Sequence, residues 1–147
     1  MARITKVSGF QPGFIYDVSQ KVGPTKTSAN ALDDVMLTQL LLGLFIGHLS
    51  TRNPKSLALP AISGTFDATT GYWIFEFQSR MQVGNISQAV DGWLSPCSTP
   101  NGRHSKGEFM IYRLNRAVYE DNPARFATLL LTSPMVPAVL KTLASKT

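Results

Sequence analysis

Cysteine occurs once, at Cys97, and histidine twice, at His48 and His104. A single thiol excludes an internal disulfide framework and a cysteine metal cluster. The two histidines lie far apart, and neither pairs with a carboxylate at helical spacing, so no converging ligand set forms. No metal or other cofactor is expected. Cys97 reads as a small half-buried residue and His48, on an apolar helix, as packed core. Charge is also sparse, with 16% of residues charged. Fewer charges leave fewer side chains to cover the outside, which points to a surface partly occupied by a partner.

Long hydrophobic runs are missing as well. The longest, Val35 to Leu49, contains Thr38, Gln39 and His48 and is too short to span a bilayer comfortably. The opening MARITKVSGFQPGF has no apolar core of signal-peptide length. The expectation is a cytoplasmic start with no signal peptide, any wall being reached by release or by assembly outside the cell.

Catalytic patterns are thin. A glycan hydrolase needs two positioned carboxylates, but Asp67 reads as a helix cap and Asp91 as a turn residue, leaving Glu76 alone. Cys97 and His104 as nucleophile and base would sit in one loop, a poor place to hold that geometry. The chain reads as a non-enzyme. Nucleic-acid binding wants a basic surface with stacking aromatics. Tyr16 near Lys21, and Tyr112 near Arg113 and Arg116, are weak versions of that pattern, and most aromatics follow helix-face spacing. Nucleic acid is therefore disfavoured as a partner.

What is present is enough for one domain: 147 residues with a net charge of +5. Chains of this length bury about two-thirds of their unfolded surface. The basic balance, with a pI near 9.6, favours acidic partners.

The organising stretch is SGTFDATTGYWIFEFQ, Ser63 to Gln78. Gly64 signals a tight turn and Asp67 a helix cap. Thr69 and Thr70 suit a first turn, and Trp73, Ile74 and Phe77 lie at helix-face spacing. Upstream, DDVMLTQLLLGL (Asp33 to Leu44) starts a helix expected from Asn30 or Ala31 to Ser50. Asp33 and Asp34 in its first turn complement the macrodipole. Its apolar residues nearly encircle it, and a helix apolar all round must be covered on every side.

Two groups of apolar residues therefore need two covers. Leu37, Leu41, Leu44 and Phe45 cannot face the same way as Met36, Leu40 and Leu42. One group is expected to pack against the Trp73 helix, and the other needs either the C-terminal helices or a second subunit. On the latter alternative Leu37, Leu41, Leu44 and Phe45 form a self-association surface. Residues 1–30 read as a basic arm and linker, two strand-like segments around Gln11-Pro12-Gly13. The arm either folds back as an edge hairpin or pairs with another subunit; on the second alternative, removing residues 1–22 leaves helicity largely intact.

Downstream, Gly84-Asn85 reads as the second helix's stop and Asp91-Gly92 as a turn that tucks Trp93 and Leu94 against the helices. Residues 97–107 form a basic loop carrying Arg103, His104 and Lys106, and loops of this length tend to be functional. Glu108 to Tyr119 is an amphipathic third helix. Asn122-Pro123 caps a fourth, with Phe126, Leu129 and Leu130 at helical spacing. Val139, Leu140 and Leu143 suggest a last short helix.

The central residues resemble the peptidoglycan-binding-like domain family, whose repeat runs Asp-Gly-x-Phe-Gly-Pro-x-Thr into a helix ending in Phe-Gln. Gly64, Phe66, Thr70, Phe77 and Gln78 match without a gap, as do Leu37, Gln39 and Leu41 on the preceding helix. Asp91-Gly92-Trp93-Leu94-Ser95-Pro96 is a second, weaker copy. Ser63 departs from the family's aspartate, and Asp67-Ala68 from its Gly-Pro. The resemblance covers the middle half of the chain, residues 31–96 of a helical domain spanning 31–147. It implies a mainly α fold: a three-helix core with an N-terminal hairpin arm and extra C-terminal helices. It also implies a non-catalytic module that binds bacterial cell-wall glycan or peptide, or another anionic polymer. Thr70, Gln78, Asp91 and Gly92 are its candidate ligand residues, with turn shaping and helix packing as their alternative role. A structural subunit of a homo-oligomeric tube, filament or ring that reuses this fold is the second expectation.

Overall fold

A computed structural model of the chain describes residues 2–9, 13–24, 26, 28–52, 60–82, 90–104, 107–126, 128, 129, 138, 140 and 141, with backbone alone at 47–52 and 82. Among them, the elements in chain order are strands β1 (Arg3–Lys6) and β2 (Phe14–Asp17), then helices α1 (Leu32–Arg52) and α2 (Ala68–Gln82). Strands β3 (Arg103–His104) and β4 (Gly107–Glu108) follow, then helices α3 (Met110–Asp121) and α4 (Pro123–Phe126). The fold is helix-dominated, with two small antiparallel hairpins.

Helix α1 runs through the middle, packed against α2, α3 and β2. That position explains its composition. Leu37, Leu41 and Leu42 are fully buried, Leu40 and Phe45 nearly so, and Leu44 is half-buried against the same core. The apolar girdle of Leu37, Leu41, Leu44 and Phe45, expected as a self-association surface, is instead covered within one chain. One flank takes α2, where Phe45 meets Phe77 edge-on at 4.9 Å between ring centroids. The other takes α3 and the hairpin. The second cover thus comes from a C-terminal helix, α3, together with the β2 strand of the arm.

The arm accordingly folds home. β1 and β2 pair with Arg3 opposite Asp17 and Lys6 opposite Phe14. Ile15, Tyr16, Val18 and Val22 are almost wholly buried, each worth about 1.5–3 kcal/mol of apolar burial. The Tyr16 hydroxyl donates to the Phe126 carbonyl at 2.7 Å, and Phe14 and Tyr119 complete an aromatic cluster around Phe126. Removing residues 1–22 thus strips core, not a detachable arm.

The acidic pair opening α1 secures the same segment. Fully buried Asp34 accepts hydrogen bonds from the Ser19 N–H and hydroxyl and from the Gln20 N–H, all at 3.0 Å. Asp33 accepts from the Ala2 N–H. Asn30, with φ of 48°, exchanges two hydrogen bonds with Gly23 and returns the chain to the helix start.

The other helix starts follow local chemistry. Asp67 caps α2, accepting from the Thr70 N–H at 2.8 Å and its hydroxyl at 2.7 Å. Asn122 caps α4, accepting from the Arg125 N–H, with Pro123 in first position. The third helix begins at Met110, not Glu108, because Gly107 and Glu108 pair with Arg103 and His104. The basic loop therefore contains a short hairpin that composition did not reveal. Lys106, the side chain of His48, the Gly84-Asn85 stop, Leu130, Val139 and Leu143 lie outside the described residues. No described helix is long and apolar enough to cross a membrane.

Candidate functional site

Two buried glutamines each close a glycine turn. On α1, the Gln39 carbonyl oxygen accepts from the Ser63 and Gly64 N–H groups at 2.9 and 3.0 Å. Its amide nitrogen donates to the Thr65 carbonyl and the Thr70 hydroxyl, both at 3.0 Å. On α2, the Gln78 oxygen accepts from the Gly92 N–H at 2.8 Å, and its nitrogen donates to Asp91 Oδ1 and the Trp93 carbonyl at 3.0 and 2.8 Å. Glutamine suits this work because one side chain carries both an acceptor and two donors.

The two turns correspond residue by residue. Gly64 and Gly92 both hold positive φ, 77° and 81°, where glycine alone is unstrained. Asp91 Oδ1 accepts from the Trp93 N–H at 2.9 Å, and the Ser63 hydroxyl accepts from the Thr65 N–H at 3.2 Å. Ser63 thus does the job of Asp91 through a neutral, shorter side chain, and its contact with Gln39 stretches to 3.4 Å. The departure from aspartate keeps the geometry and weakens the bond.

Of the four candidate ligand residues, Thr70 and Gln78 are buried and point their polar atoms into these turns. Asp91 is exposed and Gly92 half-buried at the surface of the second turn. Gln78, Asp91 and Gly92 therefore come together, and Thr70 belongs to the other turn.

The second turn borders a cleft of about 110 Å³ whose walls include Asp91, Trp93, Ser95, His104 and Phe109. A wider hollow of about 270 Å³, bounded by Arg103, His104, Gly107 and Glu108, adjoins it. His104 belongs to both. Lys21 lies 4.8 Å from the centre of the Trp93 ring, a cation–π contact. The indole packs so closely on Gly23 that a Cβ there would fall 2.0 Å from its Cδ1. Phe109 meets the His104 ring edge-on at 4.9 Å. Sequence reasoning put Trp93 against the helices and flagged Arg103 and His104 as loop residues. It missed that the turn and the loop face one another. The available signal was an aromatic directly after Asp91-Gly92.

Fully buried Asp17 ties the arm to the start of the loop. It accepts from Arg3 Nε at 3.0 Å, the Thr5 hydroxyl at 2.7 Å and the Cys97 N–H at 3.1 Å. Burial pushes its carboxyl above the usual range, opposed by the bonds from Cys97, Thr5 and Arg3. Burial likewise raises the Cys97 thiol, whose Sγ donates to the Thr99 carbonyl. That thiol is a packed group and a poor nucleophile. Among the described residues no cluster of three or more histidine, cysteine or carboxylate groups is placed to hold a metal ion.

Charge around the cleft is uneven. Asp91 stands at one end, while Glu108 is nine-tenths buried and pairs with Arg113 and Arg116 at 3.5 and 3.4 Å. What the arrangement can do is bind: aromatic walls, an oriented carboxylate and a basic end, on a scaffold fixed by buried hydrogen bonds. No family model, no curated protein and no solved structure matches the chain.

Proposed function

We propose that this chain is a non-catalytic, peptidoglycan-binding-like module that engages the bacterial cell wall through the cleft beside its second turn. The repeated glutamine closure carries the reading. Gln39 and Gln78 both lie at positions where the sequence resembles the family, and each closes the turn that follows its helix. A motif residue that makes the same three-way bond twice is a shared architectural device, and it supports the three-helix core that the resemblance implies. Fold does not fix function, so the ligand reading leans on the cleft: Trp93 and Phe109 as apolar walls, with hydrogen-bonding groups at its edge.

The test is sedimentation of the purified chain with peptidoglycan sacculi at rising salt. Arg103 and Lys21 supply a screened share of affinity and the aromatic walls an unscreened one, so retention falls in part and persists. Complete release at moderate salt identifies a simple cation on an anionic polymer and removes the family's role.

The second reading, a structural subunit that assembles with copies of itself, has one observation in its favour. Tyr72 and Phe75 lie one helical turn apart on α2 and are 58% and 52% exposed. Sedimentation velocity over a wide concentration range decides it, with assembly that Phe75→Lys abolishes as the supporting result and a constant monomer as the opposing one.

A further inference from the structure

Helix α2 is apolar on two opposite faces. Trp73, Ile74, Phe77 and Gln78 are buried in the core. On the other side Ala68, Tyr72, Phe75 and Ser79 recur at alternating spacings of four and three residues. That outer stripe is apolar where a solvated helix face would be polar. The Tyr72 ring meets Trp73 edge-on at 5.2 Å, so a side chain rooted in the core helps to hold it. Ser79 adds little bulk, and its hydroxyl donates to the Phe75 carbonyl at 2.9 Å. Covering Ser79 therefore strands no polar group. The charges stand on one flank of the stripe, where Glu76 and Arg80 pair at 3.2 Å with both side chains partly exposed.

These features are self-complementary. Let a second α2 lie antiparallel on the first, about a two-fold axis level with Phe77. Phe75 of each copy then falls against Ser79 of the other, an aromatic ring against a small side chain, as ridges fill grooves between packed helices. Tyr72 of each copy falls against the end of the other helix. The same axis keeps each flank on its own side. Arg80 of one copy thus lies two residues along the axis, about 3 Å, from the level of Glu76 of the other. Symmetry repeats that acid–base match, and the four charges join in one network.

We propose that the outer face of α2 is the contact of a closed, two-fold dimer with a second copy of this chain. Tyr72, Phe75 and Ser79 supply the apolar surface, and reciprocal Glu76–Arg80 pairs set the register. This rests on the self-association reading above and not on wall binding. It differs from a tube, filament or ring in stopping at two, because the same patch is used up on both partners. The patch is small, so the dimer belongs with the transient contacts and forms at high chain concentration.

Sedimentation velocity of the full chain over a wide concentration range is expected to show a rise that levels at twice the chain mass. Two charge reversals, Glu76→Arg and Arg80→Glu, test the register, with far-UV dichroism to check that each variant folds. Each alone should self-associate about tenfold more weakly, since every pair between copies becomes a like-charge pair. Mixed in equal amounts, the two should recover the parent's affinity to within about twofold. The pair inside each helix stays broken in that mixture, so recovery comes only from contact between copies. Phe75→Lys, which leaves both charges in place, should give monomer alone. A dimer that survives Phe75→Lys, that neither reversal weakens, or that mixing does not restore overturns the proposal. Growth past two copies overturns the closed pair and leaves the assembly reading standing. A monomer at every concentration removes both.

Discussion

Asn115 and Tyr16 exchange a pair of hydrogen bonds. The Tyr16 N–H donates to Asn115 Oδ1 at 2.8 Å, and Asn115 Nδ2 returns a bond to the Tyr16 carbonyl at 2.8 Å. A side-chain amide on α3 thereby acts as an extra strand for β2, in a site where both residues are buried. Nothing in the sequence pattern marked Asn115, which reads as a polar interruption of an amphipathic helix.

Loss of that pair leaves buried backbone groups without partners, each costing about 1–3 kcal/mol. Asn115→Ala is expected to lower unfolding free energy by about 2–4 kcal/mol, read from urea denaturation. Deletion of residues 1–22 should remove far-UV helical signal as well as stability, because Ile15, Tyr16 and Val18 leave the core with it. A truncated chain with unchanged helicity would restore the detachable arm.

How far the sequence revealed the fold depends on the range of the forces involved. The Asp67 cap, the Asn122-Pro123 start and both glycine turns were legible, because each is decided within a few residues. So was the all-round apolarity of α1. What covers it stayed open between the C-terminal helices and a second subunit, since the cover for Leu37, Leu41 and Phe45 comes from residues far away in sequence. The hairpin's landing on its own core hangs on Tyr16 meeting Phe126 and Asp17 meeting Cys97, contacts that no local pattern encodes. The candidate site was half legible for the same reason: Asp91 and Gly92 stood out as a turn, whereas the facing wall of His104 and Phe109 is tertiary.

The turn pair offers a swap. Ser63→Asp puts at the first turn the carboxylate that Asp91 supplies at the second, within reach of Gln39 and the Thr65 N–H. A gain of about 0.5–1.5 kcal/mol is expected from the stronger acceptor, and Asp91→Ser should lose a similar amount. Thermal melts check both. A destabilised Ser63→Asp variant would show that the two turns are not equivalent.

The two turn glycines should respond unequally. Both hold positive φ, so alanine is strained at either. At Gly64 a Cβ would also crowd the Leu32 side chain and come 3.1 Å from the Leu32 carbonyl oxygen, a backbone atom that cannot swing aside as the exposed side chain can. At Gly92 nothing lies within 4 Å. Gly64→Ala is expected to cost more than Gly92→Ala, whose penalty is backbone strain of about 1–2 kcal/mol. Equal melting points for the two variants would contradict the packing of Leu32 over the first turn.

Two carboxylates give the acid limb opposite slopes. The bonds from the Thr70 hydroxyl and N–H hold Asp67 below its ordinary value of 3.8, so its contribution is present above that pH and lost as pH falls through its folded value. Asp17 is held above its ordinary value by burial, so the folded state takes up its proton first. Its contribution is present below the ordinary value and lost as pH rises through the folded one. Asp67→Asn should therefore weaken the loss of stability at the most acidic end, and Asp17→Asn should flatten the fall between mildly acidic and neutral pH. Urea midpoints across pH 2–7 measure both slopes; a steeper fall toward neutral in Asp17→Asn would reverse the assignment.

The most direct measurement of wall binding at the second turn is an amide chemical-shift map of the labelled chain titrated with solubilised, peptide-free wall glycan. The account predicts saturable shifts concentrated at Trp93, Ser95, Arg103, His104 and Phe109, together with the Trp93 indole signal, while Tyr72 and Phe75 on α2 stay unmoved. Shifts centred on Tyr72 and Phe75, or none at glycan concentrations that retain the chain on sacculi, would contradict it.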